Sequence, residues 1–235
     1  MLRQWSQSPT QIGTPETEKN KILETRTSPN VIVFFTDQQR WDTTGAHGNP
    51  LNLTPNFDRV ARQGTHIFNS FTCQPVCAPA RASLQTGQYA TNTGVYRNGI
   101  ALDTEAQTLA QTFNQAGYHT GYIGKWHLGD GDPVPPNQQG GYQYWLGANL
   151  TEFESEPYHT VLYDRDGLAV ALPGYRVDAT TDAAIRYIDQ HQDEPFFLFL
   201  SFLEPHHQNH IDDFVAPSGY RQPYQNRWIP PDLAA

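Results

Sequence analysis

Two apolar runs constrain the fold of this chain more than any other feature: "NVIVFF" at residues 30–35 and "PFFLFLSFL" at 195–203, each stopping abruptly at polar side chains. Runs of this length, rich in β-branched and aromatic residues, predict buried strands of the kind found in parallel sheets. Between them the pattern turns helical. "TPNFDRVARQG" has Thr54 as N-cap, Pro55 in the first turn, Phe57, Val60 and Ala61 as its apolar side and Gly64 as its stop. "TLAQTFNQAG" places Leu109, Ala110 and Phe113 on one face before Gly117, and "DATTDAAIRYIDQH" is helical as well. "THIFNSF" (65–71) and "YHTGYIGKWHLG" (118–129) read as further strands. The alternation predicts an α/β fold: a mixed, mostly parallel sheet flanked by helices. Residues 130–176, rich in Gly, Pro, Tyr and Asn, read as a loop or small hairpin excursion within one domain over 30–235.

Residues 1–29 are polar and read as a flexible leader. They contain no apolar stretch fit for a secretory signal or a membrane span, so the expected location is cytoplasmic as written, or periplasmic or secreted if the start is misassigned. A formal charge of −9 argues against nucleic acid as a partner, and no membrane partner is expected. Two cysteines, Cys73 and Cys77, cannot build a disulfide framework for a domain of this size.

Open parallel sheets bind ligands beyond the C-terminal ends of their strands. Three polar clusters stand at such ends: Asp37 with Gln38, Lys125 with His127, and residues 204–207. The stretch "PVCAPARASLQTG" (75–87) adds a helix start, with Cys77 near the N-cap, Pro79 in the first turn and Gly87 as the stop. The positive end of the dipole and free backbone N–H groups would favour an anion there and lower the thiol's pKa. Arg81, one turn further in, adds a planar fork of donors.

Cys77-Ala78-Pro79-Ala80-Arg81, followed by Thr86-Gly87, resembles the sulfatase signature Cys-x-Pro-x-Arg. "NVIVFFTDQQRWD", "GYIGKWHLG" and "FLSFLEPHH" resemble the family's metal-binding strand, Lys/His segment and substrate-histidine strand, in that order. The resemblance implies an alkaline-phosphatase-like fold and a sulfuric ester hydrolase acting on a sulfated carbohydrate or another sulfated small molecule. It further implies that Cys77 is converted to formylglycine by a maturation enzyme, the aldehyde hydrate attacking sulfur and later expelling sulfate. Cys73 also precedes a proline by two residues, but its fifth position is Cys77 and not arginine.

By the same resemblance Asp37, Gln38 and modified Cys77 are metal ligands, for Ca²⁺ first and Mg²⁺ second. Gln38 stands where many members carry a second aspartate, which removes one negative charge. Lys125 and His127 would hold sulfate oxygens and orient the nucleophile. His206 would bind substrate and protonate the leaving oxygen, with His207 as its alternative. The remaining histidines read as ordinary surface or core hydrogen-bonding residues; Tyr142, Tyr144 and Trp145 read as local packing ahead of a sugar-stacking platform, and Asn98 as part of an Asn-Gly turn ahead of a pocket-lining residue.

Family members are longer, and their remaining metal ligands lie on a later strand-loop. The chain is therefore expected to be C-terminally incomplete, with exposed apolar surface, weak metal binding and little turnover on its own. The rival readings are a phosphonate or phosphate ester hydrolase of the same superfamily, a non-catalytic anion-binding remnant, and an unmodified cysteine hydrolase.

Overall fold

The computed structural model describes residues 28–233, so the expected leader lies almost wholly outside the described residues. Its strands are β1 (Val31–Phe35), β2 (His119–Lys125), β3 (Tyr144–Ala148), β4 (His159–Asp164), β5 (Ala169–Pro173) and β6 (Phe196–Ser201). They form one sheet in the order β1-β6-β2-β3-β4-β5. The first four in that order run parallel, and β4 and β5 add antiparallel pairings at the far edge. The mixed, mostly parallel sheet expected from the strand–helix alternation is thus present.

The helices are α1 (Pro55–Gln63), α2 (Cys77–Thr86), α3 (Ala90–Thr93), α4 (Leu109–Gln115), α5 (Thr151–Glu154) and α6 (Arg176–Gln190). Strand β6 shows why helices sit on both faces. Phe197 and Phe199 point into a core with Ala78 and Ala82 of α2 and Ala110 of α4. Phe196, Leu198 and Leu200 point into a second core with Ala179, Ala183 and Tyr187 of α6. All six residues of β6 are buried, so its continuous apolar run follows from coverage on both sides.

Three expectations need correction. β1 is an edge strand rather than a fully buried one: Val31, Val33 and Phe35 pack on the α2 side, while Ile32 and Phe34 are exposed on the other. "THIFNSF" forms no strand, since Ile67, Phe68 and Phe71 stay exposed and Phe68 packs its ring against His47 and His66. The 130–176 segment contains the β4–β5 hairpin but also β3, a parallel member of the main sheet. Its strand is short and sits among turn residues, which hid its apolar core of Trp145, Leu146 and Ala148. Tyr142 and Trp145 are buried in packing, as read from the sequence.

The parallel strands bring three loops to one end of the sheet. There β2 and β6 approach so closely that a Cβ on Gly124 (φ +110°) would lie 1.9 Å from the carbonyl oxygen of Ser201. Gly124→Ala is expected to cost about 3 kcal/mol or more through strain and overpacking, read by urea unfolding. An unchanged midpoint would contradict this approach of the two strands.

Candidate active site

Cys77 is the first residue of α2, which runs ten residues to Thr86 and ends at Gly87 in the left-handed region (φ 69°). The helix start offers fewer free N–H groups than expected. Asn98 Oδ1 accepts the Ala78 N–H at 3.0 Å, and Pro79 has no N–H, so two of the first three positions offer nothing to an anion. Asn98 thus acts as a cap supplied from a distant turn. Asn98→Ala should cost about 1 kcal/mol, measured as a lowered thermal midpoint.

Asp37 follows β1 and faces α2 and β2. Its Oδ2 pairs with Lys125 Nζ at 2.7 Å and Arg81 at 3.0 Å, while Oδ1 lies 3.8 Å from Cys77 Sγ. Lys125 also pairs with Glu152 Oε1 at 2.8 Å and stands 3.9 Å from Cys77 Sγ. An ammonium has three donors; two meet carboxylates and the third side faces residue 77. The second terminal nitrogen of Arg81 donates to the Lys125 carbonyl (2.7 Å) and Ser201 Oγ (2.9 Å), and its guanidinium lies over the Phe35 ring. Tyr122 and Ser201 hydroxyls donate to that same carbonyl. Arg81 and Lys125 are almost fully buried, so the network holds two cations against two largely buried carboxylates.

The electrostatics follow from this pairing. Burial pushes the Asp37 carboxyl up, but Arg81 and Lys125 overcome it and hold the group well below the usual carboxylate range. For Cys77 burial wins: it pushes the thiol up, Asp37 adds to the shift and Lys125 only partly opposes it. The lowered thiol pKa expected from the helix start is therefore overturned. His127 is driven down to about 4 by burial and then by Lys125, so its imidazole is neutral at pH 7. Its Nδ1 is buried without a hydrogen-bond partner, 3.7 Å from Glu152.

His206 places a ring nitrogen within 4.8 Å of donor atoms of both Asp37 and Cys77. Its Nδ1–H donates to the His207 carbonyl at 2.5 Å, so Nε2 is the ring nitrogen left for another partner. The two histidines part here. His207 turns to Asp212 (3.2 Å) and the Phe214 ring, while His206 lines a cavity of about 810 Å³ together with Asp37, Gln38, Cys77 and Arg81. Gln38 is exposed, and its amide oxygen accepts the His207 N–H at 3.0 Å. Gln38 (φ 54°) and His127 (φ 58°) both adopt left-handed backbone, a strained state for side-chain-bearing residues that gathers at functional sites.

Sequence reasoning missed Glu152 and Ser201, and it weighed Asn98 as a pocket-lining residue but read it chiefly as part of a turn, not as a helix cap. Ser201 had a signal, as the single hydroxyl in the apolar run of β6. Glu152 had none: it reaches Lys125 from the four-residue helix α5, whose placement depends on β3.

An α/β sheet with a helix-mouth cysteine, a buried Lys-Asp-Arg cluster and a histidine at its C-terminal end defines an alkaline-phosphatase-like hydrolase fold. The family profile described as Sulfatase matches residues 29–229, and the chain belongs to the sulfatase family. It is 36% identical over 216 residues to the uncharacterized sulfatase YidJ of Escherichia coli, covering 83% of this chain and 41% of that protein. It is 34% identical over 218 residues to the ulvan-active sulfatase of Formosa agariphila, covering 88% and 41%. The solved structure of BT4656 in complex with its substrate D-glucosamine-2-N,6-O-disulfate superimposes with a TM-score of 0.68 at 29% identity, over 77% of this chain and 35% of that one. The chain thus spans about two fifths of the length of the curated relatives it matches.

Proposed function

We propose that this chain carries the nucleophile and anion-binding part of a sulfuric ester hydrolase that acts on a sulfated carbohydrate, with Cys77 as the precursor of formylglycine. The observation that carries this reading is the convergence of Asp37, Arg81, Lys125 and His206 on residue 77 at the mouth of α2. A sulfate ester needs its charge neutralised and its leaving oxygen protonated. The free side of Lys125 meets the first need. His206, which lines the cavity, meets the second when its ring carries a proton toward the ester, and the orientation of His207 toward Asp212 favours His206 over its neighbour. His127, neutral and with Nδ1 unpaired, is suited to hold a hydroxyl on residue 77 or a sulfate oxygen. The raised thiol pKa of Cys77 counts against an unmodified cysteine hydrolase.

Formylglycine at position 77 supplies a hydrated aldehyde as the oxygen nucleophile in place of a poorly ionised thiol. The donor set fits one side of a hard-cation shell. Asp37 Oδ1, the second lone pair of Gln38 Oε1 and an oxygen on residue 77 are the candidate ligands, for Ca²⁺ ahead of Mg²⁺. Such a cation neutralises sulfate charge when bound. Asp37 spends its other oxygen on Lys125 and Arg81, so affinity for this chain alone is expected to be weak and turnover low.

The carbohydrate assignment rests on the sulfated-sugar ligand named for BT4656 and the ulvan named for the Formosa protein. The test is to express the chain with a formylglycine-generating enzyme and supply aryl sulfate, aryl phosphonate and a glucosamine sulfate. Binding or slow cleavage that favours sulfates supports the reading. Preference for phosphonate, or sulfate binding unaffected by Lys125→Met, would overturn it.

A further inference from the structure

A second group of ligand-type side chains lies at the opposite end of β2 from the active site. His119 opens β2 and Lys125 closes it, a separation of about 20 Å at strand rise. There His119, His191 and Glu194 each place a donor atom within 4.8 Å of one from each of the others. We propose that these three residues form a binding site for a transition-metal cation of the Zn²⁺ class, separate from the hard-cation site at Asp37.

The three side chains come from the start of β2, the end of α6 and the turn that follows it. His119 N–H donates to the Pro195 carbonyl (2.9 Å), which ties β2 to the turn before β6. His191 is the C-cap of α6, and Glu194 lies three residues on, in that same turn. The tautomers then follow from the hydrogen bonds. Tyr187 donates its hydroxyl proton to the His119 carbonyl (3.1 Å), so its oxygen accepts from His119 Nδ1–H (3.0 Å). His191 Nδ1 lies 2.8 Å from Glu194 Oε1, and a carboxylate only accepts, so this nitrogen also carries its proton. Both rings therefore keep Nε2 as a bare lone pair. For His119, which hands its Nδ1–H to Tyr187, this is the usual outer-shell pattern of histidine metal sites, whereas the His191–Glu194 contact is the one that must open for Glu194 to ligate.

Two imidazoles and a carboxylate suit Zn²⁺ better than Ca²⁺ or Mg²⁺, which prefer all-oxygen shells. The two rings are stacked, with centroids 3.8 Å apart and planes 16° from parallel. Capture of a cation therefore requires one ring to turn. His191 is the better placed of the two to turn: both rings contact Tyr187, but the His191 hydrogen bond runs to the exposed Glu194, whereas that of His119 runs to the hydroxyl of the fully buried Tyr187. A rotation about the terminal torsion of a histidine is cheap.

The test is calorimetric titration of ZnCl₂ into the full chain carrying Cys73→Ser and Cys77→Ser, which removes both thiols as competing ligands. One Zn²⁺ is expected to bind, and His191→Ala on that background should weaken binding at least about tenfold. Tyr187→Phe should weaken it by a similar factor, while His206→Ala should leave it unchanged. Co²⁺ titration gives an independent readout, a visible absorption band of a nitrogen-ligated site that His191→Ala removes. Equal Zn²⁺ affinity with and without His191, or loss of binding in His206→Ala, would overturn the proposal.

Discussion

Asp37→Ala is expected to destabilise the protein by about 3–5 kcal/mol, the usual cost of removing one partner from a buried ion pair. The loss is large because two buried cations are stranded at once: Lys125 and Arg81 share the same carboxylate oxygen, and only Glu152 remains to balance them. Urea unfolding should show a lowered midpoint at an unchanged slope. A pH series adds an independent sign. The Asp37 carboxyl titrates far below its ordinary 3.8 in the folded protein, so the unfolded chain binds the proton first as pH falls. Its contribution is full above about pH 5 and is lost as pH drops below 3.8 toward the folded value. Asp37→Asn should flatten that part of the curve, and a slope identical to that of the parent would contradict the pairing.

Lys125→Met is the second large effect, and it separates stability from binding. Removing the ammonium strands Glu152 Oε1, on a buried carboxylate whose Oε2 already has no hydrogen-bond partner, at a cost of about 3–5 kcal/mol. The same change removes the donor that faces residue 77, so sulfate affinity should fall at least about tenfold, the worth of one charge-assisted hydrogen bond. Since Asp37 and Lys125 touch, the double variant Asp37→Ala/Lys125→Met should be more stable than the sum of its parts, by about 0.5–3 kcal/mol. Strict additivity would mean that the two groups do not interact.

What the sequence revealed follows from where each interaction is encoded. Asp37, Lys125 and His206 were legible because strand ends announce themselves: an apolar run stops and a polar residue stands at the mouth of a parallel sheet. Cys77 was legible because helix starts have local chemistry, with Pro79 inside and Gly87 past the end. The edge position of β1 was not legible, because coverage of Ile32 and Phe34 depends on what packs beside the strand and not on the strand itself. Phe57 and Val60 on α1 show the same thing: an amphipathic pattern was present, and its apolar side is exposed among the described residues. The pKa of Cys77 went wrong for a related reason. A helix start predicts one electrostatic contribution, whereas the outcome depends on how deeply tertiary packing buries the sulfur and on Asp37 arriving from another strand. Glu152 and the capping role of Asn98 are contacts between distant segments, set by β3 and by the 96–99 turn, and nothing local marks them.

Peptide mass spectrometry of residue 77, after expression beside a formylglycine-generating enzyme, probes the account most directly. The prediction is a residue-77 peptide that carries an aldehyde and reacts with a hydrazide, while Cys73 in the same digest stays an alkylatable thiol. Recovery of Cys77 as an unmodified thiol from a host whose control sulfatase is fully converted would contradict it.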